Sequence, residues 1–123
     1  MTTIAQDQLD SLVLGTTQAF QAFVAAQAET LNLSRAEFGG RLATQGLDAF
    51  ETESLTKSPS KLLADMEAAL ARFEGEGKSM WPITLDRRAG IRLRCTAKEY
   101  EMSVSRMAAC LIVSALGQSE TVV

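Results

Sequence analysis

The 123-residue sequence has no histidine and only two cysteines. The missing histidine removes the commonest general base and the commonest transition-metal ligand, and no CxxC pair or carboxylate cage stands in for it. Metal-dependent or triad-type catalysis is therefore not expected, no cofactor is implied, and the chain reads as a non-enzyme. Cys95 and Cys110 are too few for a disulfide framework and fall within apolar helical patterns, so they read as reduced, buried small side chains. No basic leader followed by an apolar stretch opens the chain, and no apolar run is long enough to span a bilayer. A cytoplasmic protein without a membrane contact is expected.

Positive charge is in short supply overall, with 12 Lys and Arg against 15 Asp and Glu. That balance argues against nucleic acid until its distribution is considered. Residues 1–79 hold six basic and eleven acidic side chains, whereas residues 80–123 hold six and four. The C-terminal part is locally basic, with Arg87, Arg88, Arg92, Arg94 and Lys98 close together. Two readings of this cluster stand, a solvated helix face and a phosphate-binding face. The 46% hydrophobic content is enough for one compact domain that folds without staples.

What is present is a phrase that occurs twice, Ser58-Pro59-Ser60-Lys61-Leu62 and Ser103-Val104-Ser105-Arg106-Met107, each opening an apolar helical pattern. A serine there can cap a helix by accepting a bond from an amide of the first turn, and the remaining free amides suit a phosphate. Proline at 59 costs little, since the first helical position has no internal amide bond to lose. Upstream of these phrases, Ile4 to Ala28 carries Leu9, Leu12, Val13, Phe20, Phe23 and Val24 at helical spacing, which predicts a leading amphipathic helix. Thr30-Leu31-Asn32-Leu33 alternates briefly as a strand does, and a helix through Phe38, Leu42, Leu47 and Phe50 follows. After the polar 51–57 loop, a third helix runs from the first serine phrase to Gly75-Glu76-Gly77. Trp81-Pro82-Ile83-Thr84-Leu85-Asp86 is a second alternating stretch, with Trp81 as a lid on the core, and two more helices end at Gly117.

The order is thus a leading helix followed by strand, helix, helix twice over. Leu31 to Arg35 aligns with Ile83 to Arg87 at a spacing of 52 and the serine phrases at 45, with an insertion at 51–57 accounting for the difference. A second register aligns Ala28 to Arg35 with Ala97 to Val104 at a spacing of 69. It makes Thr30–Leu33 a turn, leaves a single ribbon strand per chain, and so requires an intermolecular dimer. Gly77-Lys78-Ser79 looks like the end of a phosphate-binding P-loop, but position 72 is arginine where that loop needs glycine, and the order of helix before strand is reversed.

Residues 81–118, with their Ile83-Thr84-Leu85 strand, four-turn helix, Met102-Ser103-Val104-Ser105 turn and apolar last helix, resemble a ribbon-helix-helix DNA-binding unit of the Arc and MetJ type. The 30–75 segment would be the second half, so the whole is similar to the tandem ribbon-helix-helix accessory proteins of plasmid transfer, of the TraY and VirC type. The fold that this resemblance implies is mainly α with a short two-stranded antiparallel ribbon, a tandem or pseudodimeric ribbon-helix-helix. Residues 1–29 would be an added N-terminal helix, 76–80 a linker and 119–123 a tail. The implied partner is double-stranded DNA, read in the major groove, in the setting of plasmid conjugation or transcription regulation. By the same resemblance Thr30, Asn32 and Thr84 would read bases, Asn32 through its carboxamide on adenine. Ser58, Ser60, Lys61, Arg87, Arg88, Ser103, Ser105 and Arg106 would hold phosphates. The competing reading is a protein-interaction module, an antitoxin or phage-type inhibitor, which uses the acidic surface and the leading helix for a partner or for self-association.

Overall fold

A computed structural model describes residues 9–73 and 77–121. The protein is mainly helical, with five helices and one two-stranded antiparallel sheet among the described residues. Strand β1 is Leu9–Thr17, followed by α1 Gln18–Thr30 and α2 Arg35–Glu53. Helix α3, Pro59–Ala71, leads to strand β2, Lys78–Asp86, and then to α4 Arg87–Glu99 and α5 Val104–Thr121. Both strands have nine residues, and both α1 and α4 have 13. The elements on either side of α3 keep a constant offset of 69, from Leu9 to Lys78, from Gln18 to Arg87 and from Arg35 to Val104.

The leading helix is half strand: residues 9–17 are extended and helix begins only at Gln18, while residues 1–8 lie outside the described part. Leu9, Leu12 and Val13 fit a helical stripe, but Leu12, Leu14 and Thr16 equally fit a period of two, and the side chains buried in β1 are those three. Thr30–Leu33 is no strand. Thr30 ends α1 and Asn32 turns the chain with φ 58, as Glu101 does with φ 56 between α4 and α5. The element boundaries follow the spacing of 69, not those of 52 and 45, and both ribbon strands belong to one chain. Residues 78–80, expected in a linker, open β2, and α5 continues past Gly117. Gly75 and Glu76 lie outside the described residues.

The helix starts are set by short polar side chains. Ser34 accepts a bond from the amide of Glu37 (3.1 Å), Ser103 from Arg106 (3.0 Å) and Asp86 from Arg88 (2.7 Å). Ser58 occupies the cap position of α3 with Pro59 in the first turn, but its hydroxyl makes no capping bond.

The core lies under one face of the ribbon. Leu12, Leu14, Trp81, Ile83 and Leu85 point inward, and α2 packs on β2 while α5 packs on β1. Each of these helices therefore covers the strand that lies on the far side of α3 from it in sequence, and α2 and α5 pack on each other between them. Trp81 is fully buried, and its indole N–H donates to the Thr16 hydroxyl at 2.8 Å, so the largest core side chain leaves no polar atom unpaired. Helix α2 approaches closely because it carries glycine: a Cβ at Gly40 would sit 1.8 Å from the carbonyl oxygen of Thr84, and one at Gly46 2.2 Å from that of Leu111. Helix α3 packs on α5, and Phe73 just beyond it meets Phe20 and Phe23 of α1, each with ring centroids 5.4 Å apart.

Candidate nucleic-acid interface

The ribbon presents its other face to solvent. Register pairs Leu9 with Asp86, Ser11 with Thr84, Val13 with Pro82, Gly15 with Met80 and Thr17 with Lys78 on that face. The amide of Gly15 leaves the ribbon edge to donate to the Ser105 hydroxyl at 2.9 Å. Alternate residues of an antiparallel strand behave alike, so the Val13 and Pro82 positions also direct their backbone nitrogens away from the partner strand. This explains the proline in mid-strand: at Pro82 there is no ladder bond to lose.

Of the expected base readers, only Thr84 is on this face. Thr30 and Asn32 stand at the α1–α2 turn, and the Thr30 hydroxyl donates to the Gln27 carbonyl at 2.7 Å. No strand carries them, since Thr30 ends α1 and Asn32 lies in the turn that follows. Ser58, Ser60 and Lys61 belong to the start of α3; Ser58 and Lys61 border a cleft of about 530 Å³ with Phe50, Leu62, Met66 and Ser114, none of which is a ribbon residue. Ser34, 69 residues before Ser103, caps α2 as Ser103 caps α5, whereas Ser58 makes no capping bond.

The expected phosphate residues around α5 are beside the ribbon. Ser103, Ser105 and Arg106 line a cleft of about 250 Å³ with Gly15, Thr17 and Lys78. Ser105 is engaged by Gly15, and the exposed Arg106 guanidinium lies 4.0 Å from Glu67. Arg87 and Arg88 are the first two residues of α4, directly after β2. Arg35, which no sequence motif singled out for binding, opens α2 and lies over the Trp81 ring with its guanidinium carbon 5.3 Å from the centroid. It also donates to Gln21 at 3.1 Å, whose amide in turn donates to the Ser79 carbonyl at 3.0 Å. Capping chemistry could have flagged it, since Ser34-Arg35-Ala36-Glu37 has the serine and glutamate spacing of a helix start.

Two members of the basic cluster are used inside the molecule. Arg92 bonds to Asp48 (2.8 Å) and to Glu51, and these carboxylates raise its pKa. Arg94 grips Asp10, chelating its carboxylate, and this contact holds the Asp10 carboxyl below its usual range. Of the other members of the cluster, Arg87 and Arg88 stand at the start of α4 and Lys98 in its last turn. Burial pushes the Cys110 thiol up to about 11, which leaves it a poor nucleophile, whereas Cys95 is exposed against expectation.

Among the described residues there is no group of three or more His, Cys, Asp or Glu placed to hold a metal ion, and no helix is long and apolar enough to cross a membrane. Comparison with protein-family models, with curated proteins and with solved structures finds no match for this chain.

Proposed function

We propose that the chain is a single-chain pair of ribbon-helix-helix units which binds double-stranded DNA with the solvent face of its ribbon in the major groove. The observation that carries this reading is the placement of arginine at three helix starts beside the ribbon: Arg35 on α2, Arg87 and Arg88 on α4, and Arg106 on α5. The positive end of a helix dipole disfavours a cation in its first turn, a cost that Arg35 offsets in part through Trp81 and Gln21. A phosphate bridging the free amides and the guanidinium reverses that sign. The constant offset of 69 and the exchange of helices over the two strands support the pairing of two like units. Thr84 and Ser11 are the side chains that can bond to base edges, while Val13 and the methyl of Thr84 suit thymine methyl groups.

The test is a salt titration of binding to short duplexes. Arg35→Ala together with Arg106→Ala should weaken binding to every sequence and flatten the log–log salt slope by about 0.9 for each phosphate that is no longer neutralised. Ser11→Ala with Thr84→Val should instead change the preference between duplexes. No salt-dependent binding to any duplex would reject the proposal.

One observation favours the interaction reading instead, namely that Val13, Met80 and Pro82 make the middle of the solvent face apolar. Binding that is insensitive to salt and directed to protein would be its signature.

A further inference from the structure

Beyond the DNA reading, we infer that the solvent face of the ribbon also pairs with the same face of a second copy of this chain. The face exposes large apolar side chains at its centre and near its ends, with Val13 56%, Met80 69% and Leu9 37% exposed. What selects a second copy as the occupant is the charge pattern along β2. Its outward row runs Lys78, Met80, Pro82, Thr84, Asp86, with a cation at one end and an anion at the other. Stacking two ribbons face to face about a two-fold axis perpendicular to the strands and lying between the sheets sets β2 antiparallel over its copy. Pro82 then lies over Pro82, Met80 over Thr84, and Lys78 over Asp86 at both ends. The β1 rows meet in the same way, Val13 over Val13 and Leu9 over Thr17. Among face-to-face stackings, this one alone sets the Lys78 of each outward row against the Asp86 of the other, as an isologous contact requires.

The contact is small. A nine-residue strand is about 30 Å long and the ribbon only about 10 Å wide, so the buried area falls below that of a permanent dimer. Association should therefore be concentration dependent, with a dissociation constant on the order of 100 µM. The dimer covers the residues proposed to face bases, so DNA and the second copy would compete for one surface.

Sedimentation equilibrium of the full chain at low salt, over about 10 to 500 µM, tests this pairing. A reversible dimer is expected, which Val13→Asp abolishes while leaving the far-ultraviolet circular dichroism unchanged. Lys78→Glu and Asp86→Lys should each weaken self-association about tenfold, because each brings like charges together twice. An equimolar mixture of these two variants should regain the dimer, since every end contact is then oppositely charged. Asp86 also caps α4, so circular dichroism must show Asp86→Lys folded; if it is not, Lys78→Glu with Met80→Asp replaces the mixture and should be fully monomeric. A chain that is monomeric throughout, a dimer that survives Val13→Asp, a mixture that fails to recover, or a replacement variant that still dimerises overturns the inference. The outcome is independent of the DNA proposal, which fails only if no duplex binds.

Discussion

Asn32 and Glu101 adopt the same left-handed backbone, φ 58 and φ 56, at the same point of the α1–α2 and α4–α5 turns. Asparagine tolerates this region because its short side chain bonds locally, whereas glutamate has no such compensation and suffers the Cβ clash. The two turns are alike in geometry and unequal in strain.

Glu101→Gly should therefore stabilise the protein by about 1 kcal/mol, and Asn32→Val should destabilise it by a similar amount. Thermal unfolding checks both, with Tm changes of about 4 °C in opposite directions.

Gly40→Ala should be among the most damaging small substitutions in the chain. Its methyl would fall 1.8 Å from the Thr84 carbonyl oxygen, so α2 would have to lift from β2 and open the core over Trp81. A loss of about 2 to 3 kcal/mol is expected in urea unfolding. Gly117→Ala is the matched control. An added Cβ there meets nothing within 4 Å, and alanine is the better helix former, so a gain of about 0.5 kcal/mol is expected.

Asp10 fixes the sign of one pH effect. The Arg94 guanidinium lowers its pKa in the folded state, so the native protein holds fewer protons than the unfolded chain in the acidic range. Its contribution is present above the ordinary aspartate pKa, about 3.9, and is lost as pH falls through the depressed value. Asp10→Asn should be less stable than the parent at pH 6, and the difference should shrink as the pH is taken below about 4. Denaturant midpoints measured at the two pH values check this; a constant difference would show that the ion pair is not the source.

Much of the helical content was legible in the sequence because it rests on local signals. Ser103 ahead of an apolar run marked the start of α5, and the alternation around Ile83 and Leu85 marked β2. The Leu9–Thr17 strand escaped because Leu9, Leu12 and Val13 satisfy a helical period as well as Leu12 and Leu14 satisfy an extended one. Local pattern cannot choose between them. The choice is made by β2, which offers a ladder of backbone bonds and a shared buried face to residues about 70 positions earlier. Asn32 was misplaced for the same reason: a short polar and apolar alternation looks extended, yet here it follows α1 and closes a helical turn.

Histidine-free composition, helix caps and apolar periodicity are enough to mark a mainly helical chain with a short ribbon. Composition and capping act within a few residues, so they can be seen without a fold. The segment that pairs with β2, the covering of each strand by the helix across α3 from it, and the hold of Glu51, Asp48 and Asp10 on Arg92 and Arg94 emerge from long-range packing. Those relations join residues more than 40 positions apart. They exist only after the core has formed, because burial of Trp81, Leu14 and Ile83 is what sets the strands in register.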